Sequence, residues 1–151
     1  MELSRYNYLG NSNIGFYATV TNSQAIFPPE FKENEIFEAE GVETYVARTR
    51  LVGLFTAGNS NSILVPDVVT DIEKKKMEEA GIEFTEIRAK ETALGNLVLA
   101  NDKGAVISKA LEDQKEEIEE ALEVDVEVMD IAGTPNPGAC GTANSRGVLL
   151  H

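Results

Sequence analysis

The chain has no tryptophan, one cysteine and one histidine among its 151 residues. A single cysteine, Cys140, excludes a disulfide within the chain and a thiolate zinc site built from this chain alone. No run approaches the roughly 18 consecutive apolar residues that a membrane helix needs. The first residues show no basic start followed by an apolar run, as a signal peptide would. We therefore expect a protein of the reducing cytoplasm that does not enter a membrane.

Basic residues are also scarce, since 13 lysines and arginines face 26 acidic residues and the net charge is −13. The negative electrostatic field of such a chain repels bare phosphate backbones, and a nucleic-acid binder normally has a clustered basic face. The acids gather at 33–43 and 112–120, where they indicate either solvated helix faces or an acidic surface that meets a basic protein. No phosphate loop, zinc signature or nucleotide fingerprint is present, so we expect no cofactor and no metal.

One sequence motif recurs along the chain. A glycine is followed six residues later by an asparagine in the copies at 52–66, 94–108 and 137–151, and a weaker copy occupies 14–28. The leading glycines, at 15, 53, 95 and 138, are 38, 42 and 43 residues apart. Self-similarity at a nearly fixed period indicates that one supersecondary unit is used several times.

Each copy of the motif predicts a β-hairpin. In the third copy an apolar run at 97–100 precedes the turn 101–104, and a second apolar run follows at 105–107. We attribute the asparagine and glycine of such turns, Asn101 and Gly104 here, to a backbone with positive φ, which these residues tolerate best. Strands that are apolar on both faces indicate burial by helices on one side and by the centre of the molecule on the other.

A helix and a third strand are predicted after the hairpins. Thr70 and Glu73 form a capping box at the start of a helix that ends at Gly81. A second helix follows Ser108, with its apolar stripe on one face. Alternating patterns at 82–87 and 124–128 predict half-buried strands. The unit is thus strand, strand, helix, strand, although the segment 31–41 fits only a short helix.

These strings resemble the archaeal translation initiation factor 6 family. The string at 92–108 is similar to the third repeat of that family and is highly specific. The strings at 10–28, 57–71 and 131–151 are similar to its first, second and fourth repeats. The resemblance covers the whole chain and implies an α+β fold of the pentein type, an α/β propeller with five repeats around a pseudo-fivefold axis. On this basis residues 1–151 form one pentein-like domain with about four of the five repeats, which we expect to be incomplete at the C-terminus.

The resemblance also implies a function. The family binds the large ribosomal subunit beside the sarcin–ricin loop, through ribosomal proteins with limited rRNA contact. It occupies the intersubunit face, blocks premature joining of the small subunit and takes part in large-subunit maturation. A GTPase of the elongation-factor type and its partner release it. The resemblance therefore implies a steric binder rather than an enzyme, monomeric if the ring is complete.

Five residues form the candidate ribosome-binding set. The family resemblance assigns a contact near the large subunit to Asn96, which follows the motif glycine of the third copy. Leu54 holds the same position in the second copy, and Arg50 shortly precedes that copy. Lys103 and Arg146 occupy matching turn positions where exposed cations could touch rRNA. The competing interpretations are a buried amide that caps a turn for Asn96, a surface ion pair for Arg50 and simple solubility for the two turn cations.

An enzyme on the same scaffold is the alternative function, because enzymatic penteins modify guanidino groups with a cysteine nucleophile, a histidine and acidic partners. Cys140 and His151 fall in one hairpin, with Cys140 assigned to its first strand. A Cys–His pair needs hydrogen-bond reach and an orienting third group. Neither is evident from the sequence, which favours a buried structural cysteine. A ribosome-maturation scaffold that does not block subunit joining is a further alternative.

Overall fold

The computed structural model describes residues 6–31 and 40–150. It confirms the α+β class, with short helices and several small sheets rather than one continuous sheet. The strands are β1 Thr19–Val20, β2 Gln24–Phe27, β3 Glu40–Glu43, β4 Ala57–Gly58, β5 Ile63–Pro66, β6 Phe84–Ile87, β7 Val98–Asn101, β8 Gly104–Ile107, β9 Val126–Val128, β10 Gly141–Asn144 and β11 Gly147–Leu150. The α-helices are α1 Val52–Phe55, α2 Asp71–Glu79, α3 Leu94–Leu97 and α4 Lys115–Leu122.

Each copy of the motif folds as a helical turn followed by an antiparallel hairpin. The turns are the 3₁₀ turns Ile14–Phe16 and Pro137–Ala139 and the single-turn helices α1 and α3. The hairpins pair β1 with β2, β4 with β5, β7 with β8 and β10 with β11. The sequence predicted the hairpins but not the turns, and it placed Leu97 and Cys140 in strands. Leu97 instead ends α3, and Cys140 lies between its 3₁₀ turn and β10.

A third strand joins three of the hairpins in parallel. β3 pairs with β2, β6 with β5 and β9 with β8, which gives three sheets of three strands. A parallel partner requires a crossover, and α2 and α4 supply it for the second and third sheets. The predicted strand–strand–helix–strand order is confirmed there. The short helix predicted for 31–41 lies mostly outside the described residues.

Helix α2 begins and ends where its sequence predicts. The Thr70 backbone N–H donates to Glu73 Oε2 at 2.8 Å, and the Glu73 N–H donates to Thr70 Oγ1 at 3.4 Å, so the capping box is complete. Gly81 has φ of +73° beyond the last turn, the conformation that glycine adopts most easily. The buried face carries Met77, whereas its neighbours Lys75, Lys76 and Glu78 are exposed.

The predicted helix after Ser108 starts as the 3₁₀ turn Lys109–Gln114 and continues as α4. Of its predicted apolar stripe, Leu111, Ile118 and Leu122 are fully buried and Ala121 is half-buried. The acidic residues 112, 113, 116, 117 and 120 are exposed, as predicted for a solvated helix face. Within the described part of the chain, no helix is long and apolar enough to cross a membrane.

The core lies between neighbouring sheets, and each long helix seals one part of it. Met77 of α2 packs in a cluster with Ile26 of the first sheet and Ile63 of the second. The stripe of α4 packs in a second cluster with Leu64 of the second sheet and Ile107 of the third. Each helix therefore covers the junction between its own sheet and the preceding one.

Candidate binding surfaces at the two ends of a central cavity

A cavity of about 430 Å³ is lined by residues of all four turn–hairpin segments. One end is surrounded by the helical turns and opens to a space of about 300 Å³ beside Asn13, Phe16, Asn96 and Ala139. The other end is surrounded by the hairpin turns and opens to a space of about 220 Å³ beside Asn59, Asn101 and Asn144. We call these surfaces the turn face and the hairpin face.

The motif glycines hold the turn face together by close backbone contact. A Cβ atom on Gly53 would lie 2.1 Å from the Gly15 carbonyl oxygen, one on Gly95 would lie 1.9 Å from that of Gly53, and one on Gly138 would lie 2.2 Å from that of Gly95. None of these glycines has a positive φ. The glycine recurs because successive turns pack backbone against backbone, a space that no side chain can share.

The side chains that follow these glycines form the turn face itself. Phe16 is 42% exposed, Ala139 is exposed, and Leu54 and Asn96 are half-buried. The Asn96 side chain makes no hydrogen bond to any described residue; only its backbone N–H donates, to the Ala93 carbonyl oxygen at 3.0 Å. Asn96 is therefore not the turn-capping amide that the competing interpretation required. The face presents two side-chain amides without a partner among the described residues, half-buried Asn96 and exposed Asn13, together with an exposed aromatic ring.

The hairpin face has a different construction, in which the motif asparagines cap their own turns. Asn101 Oδ1 accepts from the backbone N–H groups of Lys103 and Gly104 at 2.9 and 3.2 Å. Asn144 Oδ1 accepts in the same way from Arg146 and Gly147 at 2.9 and 3.1 Å. Neither Asn101 nor Gly104 has a positive φ, so our sequence-based reason for this asparagine and glycine was wrong. The asparagine recurs because its carbonyl oxygen satisfies two turn amides.

The same asparagines also connect successive hairpins. Asn59 Nδ2 donates to the Asn101 carbonyl oxygen at 3.3 Å, and Asn101 Nδ2 donates to that of Asn144 at 3.0 Å. In both residues the amide oxygen accepts hydrogen bonds within its own hairpin, and the amide nitrogen donates a hydrogen bond to the next hairpin. The sequence period pointed to these positions, but not to the contacts between them.

Asp102 adds a connection that the sequence did not suggest. Its carboxylate accepts from the Ser60 backbone N–H at 2.8 Å and from the side-chain amide of Asn22. Burial raises the pKa of Asp102, but the hydrogen bonds from Ser60 and Asn22 outweigh it and hold that pKa below its ordinary value. The ionised carboxylate therefore ties the third hairpin to the first two.

The predicted binding set does not form one surface. Asn96 and Leu54 belong to the turn face, whereas Lys103 and Arg146 belong to hairpin turns at the opposite end. The four-residue strand β7 separates the two ends, a rise of about 13 Å. A flat partner could therefore contact only one of these pairs directly.

The Arg50 guanidinium group is paired with side chains of this chain. Its Nη1 atom lies 3.0 Å from the Tyr8 hydroxyl oxygen and 3.4 Å from Glu30 Oε2. This is the surface ion pair that the competing interpretation describes, extended by a tyrosine.

Of the two residues considered for catalysis, Cys140 lies within the described part of the chain and His151 does not. Cys140 is a free thiol and is half-buried, whereas the sequence favoured a buried cysteine. His151 lies outside the described residues, so no Cys140–His151 geometry is defined. Among residues 6–31 and 40–150, no three histidine, cysteine or acidic side chains are placed to hold a metal ion.

The fold and the two faces define an α+β protein assembled from similar turn–hairpin segments around a common cavity. Residues 3–151 match the sequence model of the eIF-6 family. The chain is 33% identical over 162 residues to translation initiation factor 6 of Staphylothermus marinus and 35% identical over 165 residues to that of Pyrococcus abyssi, and all of the chain is covered in both cases. It is 39% identical over 138 residues to that of Methanothermobacter thermautotrophicus, which covers 87% of the chain. The chain belongs to the eIF-6 family, and its role is that of a translation factor.

The matched relatives are longer than this chain. The alignments span 71% of the Staphylothermus protein, 72% of the Pyrococcus protein and 62% of the Methanothermobacter protein. What those proteins do as whole molecules is therefore carried to this chain only as a proposal.

Proposed function

We propose that this chain is a cytoplasmic translation and ribosome-biogenesis factor that binds the large ribosomal subunit on its intersubunit face. Bound there, it prevents premature association with the small subunit by steric exclusion and needs no chemistry of its own. Its turn–hairpin segments are repeats of a pentein-type domain comprising residues 1–151. Release depends on a GTPase and its partner.

The turn face is the surface that we assign to the ribosome. The observation that carries this assignment is the Asn96 amide, which bonds to no described residue and stands beside exposed Phe16. Interfaces concentrate their binding energy in central aromatic and well-positioned polar groups rather than at the charged rim. The glycine contacts support the assignment, because they fix the turns and leave little conformational entropy to be lost on binding.

The net charge of −13 favours a protein contact over an RNA contact. An acidic molecule approaches basic ribosomal proteins readily, while exposed phosphates repel it. Lys103 and Arg146 on the hairpin face then serve solubility and are not part of the binding surface.

Co-sedimentation with purified large subunits tests the assignment of the face. We expect Asn96→Ala to weaken binding about tenfold, because polar groups of the large subunit that bond to the amide would be left buried without a hydrogen-bond partner. Lys103→Ala and Arg146→Ala are the matched controls on the hairpin face and should leave binding within about twofold. Loss of binding in these controls with retention in Asn96→Ala would assign the contact to the hairpin face instead.

Subunit joining tests the mechanism separately. Large subunits saturated with the chain should form fewer whole ribosomes when small subunits are added, as measured on sucrose gradients. Normal joining by fully occupied large subunits would refute steric exclusion and favour a maturation scaffold. Failure of the native chain to bind at all would refute the proposed function.

A further inference from the structure

A groove of about 370 Å³ lies on the outside of the molecule, where helix α2 begins beside the segment that follows strand β3. It is lined by Tyr45, Arg48, Thr70, Ile72 and Glu73. We call it the α2 groove. The first and second sheets, between which it lies, and the helix α2 that covers their junction are all in place. The groove is therefore a feature of the folded surface at this junction.

Large apolar side chains are exposed at the groove. Ile72 is 79% exposed, more than any other large hydrophobic residue in the described part of the chain, and Tyr45 on the other wall is 40% exposed. Val68, two residues before Thr70, is 47% exposed. A single exposed apolar residue is ordinary on a protein surface, but several around one concave site are typical of an interaction surface.

The groove carries positive charge although the chain as a whole is acidic. Arg48 is exposed, and its guanidinium group bonds to no described residue. Lys76 lies one helical turn after Ile72 on the same side of α2. Glu73 is the one acidic residue in the lining, and its two carboxylate oxygens already accept from the backbone N–H groups of Arg48 and Thr70, each at 2.8 Å. An anionic group that enters the groove therefore meets a guanidinium with no partner among the described residues.

The arginine occupies a backbone position that suits glycine. Three turns in the described chain are closed by an isolated β-bridge, and the third residue of each has a positive φ: Gly10 at 82°, Arg48 at 60° and Gly133 at 77°. A side chain in that conformation costs free energy that glycine avoids. Stability therefore does not explain the arginine, whereas a ligand for its guanidinium group would explain it.

The distribution of charge selects one kind of occupant. A carboxylate can pair with both N–H edges of the Arg48 guanidinium group while a neighbouring apolar side chain fills the space between Tyr45 and Ile72. Exposed Asp71 and Glu43 lie next to the lining residues in the chain. A strand of nucleic acid, with a charge on every nucleotide, would be repelled by them beyond the groove. A single carboxylate between apolar residues avoids that repulsion.

We propose that the α2 groove is a docking site for a short segment of a partner protein in which an aspartate or glutamate lies beside a large apolar residue. The carboxylate pairs with Arg48, and the apolar side chain packs between Tyr45 and Ile72. The rest of the acidic surface repels such a segment, which confines it to this groove. No residue lines both this groove and the space at the turn face, so the contact is separate from the proposed ribosome contact and is tested with the protein alone.

A synthetic peptide, acetyl-Gly-Asp-Leu-Phe-Gly-amide, is the probe, and the same peptide with asparagine in place of aspartate is its uncharged control. We expect the aspartate peptide to shift the Arg48 Nε–H and Ile72 methyl resonances of the isotope-labelled 151-residue protein in a saturable titration at millimolar peptide. The Arg48 proton should move downfield as it gains a charge-assisted hydrogen bond. The asparagine peptide should bind about tenfold more weakly, because it lacks the charge.

Arg48→Gly removes the guanidinium group and keeps the fold, because glycine suits the positive φ and still offers the backbone N–H to Glu73. This variant should unfold at about the native temperature but bind the aspartate peptide about tenfold more weakly, with little change for the asparagine peptide. Arg88→Ala is the matched control, since it removes an exposed cation outside the groove, and should leave binding within about twofold. Ile72→Ala should weaken both peptides by the same factor, because it removes an apolar contact.

Three results would refute the docking site: equal binding by the native chain and Arg48→Gly, equal losses in Arg48→Gly and Arg88→Ala, or no shifts at millimolar peptide. Binding of an oligouridylate at the same resonances, in preference to the peptide, would assign the groove to RNA instead. Dimerisation of the chain alone that Ile72→Asp abolishes would assign it to a second copy.

Discussion

The backbone contact between motif glycines should make Gly95→Ala one of the most destabilising single substitutions in the chain. The new Cβ atom would lie 1.9 Å from the Gly53 carbonyl oxygen and 2.9 Å from that of Leu54. Ordinary van der Waals contact begins near 3.4 Å, so α1 and α3 would have to separate by about 1.5 Å, which is 3.4 minus 1.9. Overpacking usually costs about 1–3 kcal/mol, and an obstacle made of backbone cannot swing aside. We therefore expect a loss of about 3 kcal/mol.

Gly15→Ala is the matched control, because it changes the same motif position in another turn. A Cβ atom on Gly15 would meet nothing within 4 Å, and φ there is not positive. Alanine also restricts the unfolded chain, so this variant should be unchanged or more stable by about 0.4–1 kcal/mol.

Urea unfolding followed by circular dichroism and tyrosine fluorescence measures both free energies of unfolding, since the chain has four tyrosines and no tryptophan. The predicted loss corresponds to a fall in Tm of about 6–12 °C in Gly95→Ala. Equal stability of the two variants, with unchanged m-values, would refute the conclusion that the glycines recur because of backbone packing.

Three further predictions concern the hairpin face and helix α2. Asn101→Ala should lower the free energy of unfolding by about 1–2 kcal/mol, and Asn144→Ala should lower it by less. Both side chains cap their own turns, but of the two only Asn101 also donates to another described hairpin. Urea unfolding measures both values, and the reverse order would contradict this reasoning. Asp102→Asn should be less stable than the native chain at neutral pH, and the difference should shrink as the pH falls below about 4. A carboxylate whose pKa is lowered in the folded state stabilises the fold above its unfolded-state pKa and loses that effect when it is protonated. A difference in stability that does not depend on pH would contradict this reasoning. Glu73→Ala should cost about 1–2 kcal/mol through lost hydrogen bonds to two backbone N–H groups, whereas exposed Glu78→Ala should be nearly neutral in thermal unfolding.

Local signals in the sequence were enough to predict the long elements. The capping box at Thr70 and the stop at Gly81 are chemical features of a few adjacent residues, and both are present as expected. The buried stripe of α4 was predicted in the same way, because helical periodicity is visible over two or three turns. The single-turn helices were missed, since four residues do not display a period.

The sequence did not predict the contacts between turn–hairpin segments. The leading motif glycine had no explanation in the sequence, because its cause is a backbone carbonyl about 40 residues away. The turn asparagine was attributed to its own backbone conformation, whereas its side chain caps the turn and also donates to the next hairpin. Asp102 was missed for the same reason, because its partners Asn22 and Ser60 come from two other hairpins. The candidate binding residues were predicted as one set, and the sequence could not show that Asn96 and Leu54 lie at one end of the cavity and Lys103 and Arg146 at the other.

The construction of the turn face explains why a binding function can reside there. The turns are positioned by glycine and carbonyl atoms, so the side chain that follows each glycine contributes little to holding the turns together. That position is occupied by Phe16, Leu54, Asn96 and Ala139, four residues with no common chemistry. The hairpin face is the reverse, since its asparagine side chains are themselves the connections between segments. A substitution at Asn96 can therefore alter binding without loss of the fold, whereas a substitution at Asn101 acts first on stability.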